Sequence, residues 1–181
     1  MYQKRAKLVA VVGSSNSGKT TIIECVISGL KRKGFRVGSI KHIHHPDFAI
    51  DEEGTDTWRH ARAGSEMVAA ISRSEIDLIV KDDLEARLSY ILDLMERDLD
   101  IILVEGLHSS IGKRPDIFKI VTAHDAEDLR QRLRDTPPPI LAISGLVAER
   151  PGSVEIDLPI ISSKTDGSTL VERIEEEVIR K

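Results

Sequence analysis

The sequence predicts an α/β fold: a mostly parallel sheet flanked by helices, with an antiparallel excursion near residues 65–80. Three observations carry this. Short apolar runs at Lys7 to Val12, Asp100 to Val104 and Ile140 to Ile143 have the composition of strands buried on both faces. Helical patterns alternate with them, the order expected of βαβ units. A glycine-bounded loop joins the first run to the first helix, leaving no room for a hairpin there.

Taken in order, Lys7 to Val12 is a strand, and a helix follows from Lys19. Ile22, Ile23, Val26, Ile27 and Leu30 recur at helical spacing, Thr21 and Glu24 have capping-box spacing, and Gly34 ends the element. Arg36 to Lys41 completes a βαβ unit, whose crossover is expected to be right-handed. Ile43 to Asp56 reads as a polar loop and Thr57 to Ala63 as a short helix. Glu66 to Ile71 and Ile76 to Val80, separated by Ser72-Arg73-Ser74, form the hairpin. Asp82 and Glu85 are placed to cap a helix bearing Leu84, Leu88, Ile91, Leu92 and Met95. A strand at Asp100 to Val104, a loop to Pro115, a strand at Ile117 to Val121 and a helix at Ala126 to Arg134 follow. Pro137-Pro138-Pro139 breaks the chain before the strand Ile140 to Ile143. A loop from Gly145, a short strand at Ile160-Ile161 and a helix from Gly167 to Ile179 complete the chain.

The 181 residues suit a single domain, 1–181, since domains run to about 100–200 residues. With aromatics at only 3%, the core must be built from Val, Ile, Leu and Ala. A net charge of -4 argues against a nucleic-acid-binding surface, which needs a basic excess. The single cysteine, Cys25, precludes an internal disulfide and fits a reducing cytoplasm; it reads as a packing residue. No apolar run approaches the roughly 20 residues that span a bilayer, and no signal peptide is expected.

Gly13-Ser14-Ser15-Asn16-Ser17-Gly18-Lys19-Thr20 matches G-x-x-x-x-G-K-[ST] in full, following a buried strand and opening a helix. The glycines let successive N–H groups turn toward phosphate oxygens, and the helix N-terminus adds donors and a favourable dipole. Lys19 can then reach the β- and γ-phosphates, and the Thr20 hydroxyl is placed to ligate Mg2+. This predicts a P-loop nucleoside-triphosphate fold, with Gly13 to Thr20, and Thr21 beside them, as the nucleotide-binding residues.

Such a site needs a carboxylate at the end of another buried strand. Glu105 lies at the carboxyl end of its run, where open α/β sheets bind ligands. Asp100, at the opposite end, reads as a strand-entry residue. Asp51-Glu52-Glu53-Gly54 spells D-x-x-G without a buried strand before it, so Asp51 is a weaker metal candidate. Lys41-His42-Ile43-His44-His45 invites a zinc reading, but neighbouring residues on a strand diverge and no second ligand set is present. A structural or solvent-facing role suits this cluster equally; as functional residues, Lys41, His42 and the other histidines are better suited to an anionic substrate or phosphate than to a metal. Ser163-Lys164-Thr165-Asp166 resembles a guanine-reading N/T-K-x-D, although Asp166 can equally cap the last helix; Ser144-Gly145 is the other position for base contact.

Gly13 to Thr20, Lys41-His42-x-His44-His45, Asp51 with Gly54-x-Asp56-Thr57-Trp58-Arg59, Ala63-Gly64 and Val104-Glu105-Gly106 together resemble the molybdopterin-guanine dinucleotide biosynthesis protein B family, MobB. The resemblance covers about residues 7–145. It implies a GTP-binding protein with weak GTPase activity, using Mg2+ held by Thr20, Glu105 and Asp51, with Lys19 and Glu105 as catalytic residues. It also implies an accessory role to the MobA-type guanylyltransferase that joins GMP to molybdopterin, a homodimer through residues 65–80, and molybdopterin as a further ligand. Family members commonly read V-E-G-[FY]-K, whereas Leu107-His108 stands here. The alternatives are a P-loop small-molecule kinase using ATP or GTP, with Glu105 or Asp51 as base, and a non-enzymatic module. Arg59, Arg62 and Arg114 are the arginine-finger candidates.

Overall fold

The computed structural model describes residues 5–45, 47–81, 84–150 and 156–181, apart from the side chains of 84–86. The described chain divides into two compact units, one containing the residues up to His42 and from Leu94 onward, the other Ile43–Asp93.

The larger unit is a five-stranded parallel sheet. Its strands are β1 (Lys7–Gly13), β2 (Val37–Lys41), β5 (Ile101–Glu105), β6 (Phe118–Thr122) and β7 (Ile140–Ser144), in the spatial order β2-β5-β1-β6-β7. β5 is buried at every position, as its unbroken apolar run requires. Helix α1 (Lys19–Arg32) presents Ile22, Ile23, Val26 and Leu30 to Val9, Val11, Ile101 and Leu103 of the sheet. Each such side chain contributes about 1.5–3 kcal/mol on full burial. Helix α5 (Gly167–Ile174) adds Leu170, Val171 and Ile174 to the same core, and Val171 packs so closely on Gly29 of α1 that a side chain there would collide with it. α5 continues into a wider turn, Glu175–Ile179, where buried Glu175 is held by Lys33 and Arg180. Helix α4 (Ala126–Asp135) runs back along β6, its N-terminus capped by the Asp125 carboxylate.

The smaller unit holds helix α2 (Asp56–Arg62) and the antiparallel hairpin of β3 (Met67–Ile71) and β4 (Ile76–Val80). α2 is capped by the Thr55 hydroxyl and packs against β3. Helix α3 (Leu84–Glu96) follows; the caps read for it, Asp82 and the Glu85 side chain, lie outside the described residues and side chains.

The α/β class, the parallel sheet and the antiparallel excursion are as expected. Three local readings change. The N-cap of α1 is Gly18, in the left-handed region, with no side-chain cap, so Thr21 and Glu24 form no capping box. Ile160 makes an isolated parallel bridge to Ile143 rather than a strand. Cys25 is half-buried, its thiol donating to the Ser163 carbonyl at 3.6 Å.

Candidate functional site

Strand register assembles the site. β1, β2 and β5 pair in parallel so that Lys41, Glu105 and Val11 lie side by side. In-register neighbours on a pleated sheet project to one face, and Val11 faces α1. Glu105 therefore projects to the side on which α1 begins. Its two carboxylate oxygens each lie 3.2 Å from the Thr20 hydroxyl, and Oε1 accepts from Lys41 Nζ at 3.1 Å. The ladder continues one residue past β2, where the His42 N–H donates to the Glu105 carbonyl at 2.9 Å.

The loop between β1 and α1 has the backbone that its glycines foretold. Gly13 has φ 152°, and a Cβ there would sit 2.1 Å from the Thr122 carbonyl oxygen. Asn16 and Gly18 also have positive φ. Lys19 is folded back onto the loop, with Nζ donating to the carbonyls of Gly13 at 3.1 Å and Ser14 at 2.5 Å. Burial lowers its pKa below the ordinary lysine value, opposed by the charge of Glu105. Ser15, Asn16, Thr20 and Thr21 are exposed.

Two loop serines turn inward. The Ser17 hydroxyl is fully buried, donating to the Ser14 carbonyl at 2.7 Å and sharing a 2.5 Å hydrogen bond with Thr122. The Ser14 hydroxyl donates to Asp128 of α4 at 2.5 Å. These two side chains therefore brace the loop rather than reach into it. Asp128 also accepts from the backbone and ring of His124. Sequence reading missed Thr122 and Asp128, because their partners lie 105 and 114 residues away.

The remaining residues make other contacts. Asp51 lies in the smaller unit, where its Oδ1 accepts from the hydroxyls of Thr55 and Thr57 at 2.8 and 3.0 Å. Among the described residues no group of three or more His, Cys, Asp or Glu is arranged to hold a metal ion. Of the finger candidates, Arg59 pairs with Asp56 and Arg62 stacks over Trp58, both within the smaller unit. Arg114 pairs with Asp116 just before β6. In a parallel sheet that is the edge opposite the phosphate loop. His108 hydrogen-bonds Thr136, which precedes β7 at that same opposite edge, and burial together with Arg132 and Lys113 lowers its pKa. It is a hydrogen-bonding partner of Thr136 on the edge away from the phosphate loop.

Around the base-reading candidates, Ser144 donates to the Ile161 carbonyl at 2.6 Å and is buried. Asp166 stands at the N-cap position of α5, makes no side-chain cap, is exposed, and accepts from its neighbour Thr165. Lys164 reaches Glu149 instead, at 3.1 Å.

A family model described as molybdopterin guanine dinucleotide synthesis protein B matches residues 8–142. The molybdopterin-guanine dinucleotide biosynthesis adapter protein of Haemophilus influenzae is 37% identical over 100 residues, covering 55% of this chain and 56% of that one. The adapter protein of Escherichia coli K12 is 35% identical over 126 residues, covering 67% of this chain and 71% of that one. The chain thus aligns with little more than half of the first relative's length. The crystal structure of Bacillus subtilis MobB superposes with a TM-score of 0.71 at 27% identity, covering 95% of this chain and 98% of that one. Among the described residues no helix is long and apolar enough to cross a membrane. With a family model spanning the phosphate loop and Glu105, and a MobB structure of the same fold, the chain belongs to the MobB family.

Proposed function

We propose that this chain is a GTP-binding accessory protein of molybdopterin guanine dinucleotide formation, a single nucleotide-binding domain with weak GTPase activity that serves a MobA-type guanylyltransferase. The observation that carries the reading is the convergence of Lys19, Thr20, Glu105 and Lys41 at one end of a parallel sheet. The names of the relatives support the pathway. Molybdopterin as a ligand and a homodimer through the hairpin belong to the same proposal. Apolar Ile71 and Ile76, each more than 70% exposed, favour the hairpin as the contact.

The chain's own residues suit triphosphate chemistry. Lys19 is parked on two loop carbonyls and exchanges them for phosphate oxygens when nucleotide arrives. The Thr20 hydroxyl and Glu105 carboxylate form an oxygen pair of the kind Mg2+ takes while keeping several waters. Held there, Mg2+ would supply charge neutralisation for the triphosphate. Lys41 pairs with Glu105 at 3.1 Å and orients it, so the carboxylate can also position an attacking water. Arg114, tied to Asp116 at the far edge of the sheet, is not placed as an arginine finger, which supports slow intrinsic hydrolysis.

The test is equilibrium binding of GTP and ATP, each with Mg2+, to wild type and Lys19→Ala. We expect a GTP preference and a loss of roughly 100-fold in affinity in the variant, about 2.7 kcal/mol. A preference for ATP, binding indifferent to Lys19, or phosphoryl transfer to an acceptor other than water would overturn the reading.

A further inference from the structure

We propose that Glu149, anchored by Ser162 and Lys164, is the residue that reads the guanine base. The inference rests on the GTP-binding reading above and deepens it by moving base recognition away from Asp166.

The turn after β7, Leu146–Glu149, is fixed to the phosphate loop itself. The Leu146 N–H donates to the Ser17 carbonyl at 3.1 Å, and the Val147 N–H donates to the Ala123 carbonyl, just past β6, at 3.0 Å. Gly145 makes the approach possible. It has φ 82°, and a Cβ there would lie 2.2 Å from the Ser17 carbonyl oxygen. Three residues of 3-10 turn advance about 6 Å, so Glu149 stands a short, fixed step beyond the loop that takes the phosphates.

Its carboxylate is held from both sides. Oε1 accepts from the Ser162 hydroxyl and Oε2 from the Lys164 ammonium, each at 3.1 Å. Ser162 has little choice of direction. It is buried, and its oxygen already accepts from the backbone N–H groups of Lys164 and Thr165 at 3.2 and 3.3 Å, which leaves its proton for Glu149. An ionised carboxylate offers about four acceptor sites. Among the described residues one site per oxygen is occupied, which leaves one per oxygen for a ligand.

Guanine presents two parallel donors, N1–H and the 2-amino group, which match two oxygens held in a fixed plane. Adenine presents no such pair. Leu146, in the same turn and 40% exposed, supplies an apolar surface for a base to lie against. Asp166 has none of this support: it is exposed, and its described side-chain bond is to adjacent Thr165.

The experiment measures dissociation constants of Mg2+ complexes of GTP, ITP, XTP and ATP for wild type, Glu149→Gln, Ser162→Ala and Asp166→Asn. Wild type is expected to bind GTP at least tenfold more tightly than ITP, which lacks the 2-amino group. Glu149→Gln should weaken GTP tenfold or more and strengthen XTP, whose 2-carbonyl accepts from the new amide. Retained or improved XTP binding also shows that the variant is folded. Ser162→Ala, which frees the carboxylate without removing it, should lower the GTP:ATP ratio by a smaller factor, and Asp166→Asn should leave the GTP:XTP ratio unchanged. A wild type that prefers GTP to ATP, with Glu149→Gln indifferent or Asp166→Asn shifting the ratio, overturns this assignment alone. A wild type without GTP preference overturns it together with the guanine reading on which it rests.

Discussion

Two strands of almost equal apolar content have opposite surroundings. β5, Ile-Ile-Leu-Val-Glu, is buried at every position, with β2 and β1 on either side of it. β4, Ile-Asp-Leu-Ile-Val, pairs with β3 in a two-stranded sheet, and Ile76 is 71% exposed. The difference teaches that an apolar run states a need for burial without saying what will meet it. In the larger unit the chain meets its own need, and the end of β5 becomes a place where Glu105 can be held to Thr20 and Lys41. In the smaller unit the need is left on the surface, at Ile71 and Ile76.

The largest effect that could break this contrast is in the core. Leu103→Ala, at a fully buried position, is expected to cost about 2–5 kcal/mol by denaturant titration. A cost under about 1 kcal/mol would mean that β5 is not the spine of the fold.

Gly145→Ala comes next. It places a methyl against the Ser17 carbonyl at a positive φ, so nucleotide affinity should fall tenfold or more, about 1.4 kcal/mol. Isothermal titration with Mg2+ and GTP checks this, and an unchanged affinity would separate the turn after β7 from the phosphate loop.

A pH series sharpens the role of Lys19. Its pKa is lowered by burial in the free protein, and phosphate binds the protonated form. Affinity should therefore be full below that lowered pKa and fall as pH rises through it, approaching tenfold per pH unit. Measured above pH 8, where the triphosphate is fully ionised, the fall should begin earlier than an ordinary lysine would allow. Affinity independent of pH in that range would mean that another group carries the charge.

The smaller unit should respond less. Thr55→Ala removes the cap of α2 and should cost about 1 kcal/mol, seen as faster amide exchange in that helix with the sheet unaffected. Ile76→Ala should change monomer stability by less than about 0.5 kcal/mol. If it instead lowers stability in a manner that depends on protein concentration, the exposed face of β4 is covered by a second copy.

Much of the site was legible because its chemistry is local. Gly13 to Thr20 are contiguous, and the helix that must follow them does. Glu105 could be placed because a carboxylate ending a buried strand lies at the ligand-binding edge of a parallel sheet. The inward turn of Ser14 and Ser17 was not legible, because Asp128 and Thr122 reach them from distant strands and helices. Nor was the role of Lys164. The spacing of Ser163 to Asp166 drew attention to Asp166, whereas the folded chain gives Lys164 to Glu149, fifteen residues earlier.

By itself, then, the sequence determined the parallel α/β class, the phosphate loop and the carboxylate opposite it. Those follow from periodicity and from a motif whose donors are neighbours along the backbone. Only the tertiary structure decided that Ser14 and Ser17 turn inward to Asp128 and Thr122, that His108 meets Thr136, and that Glu149 takes Ser162 and Lys164. Each depends on hydrogen bonds closed between segments far apart in the chain, and strand register, which no local pattern encodes, brings those segments together.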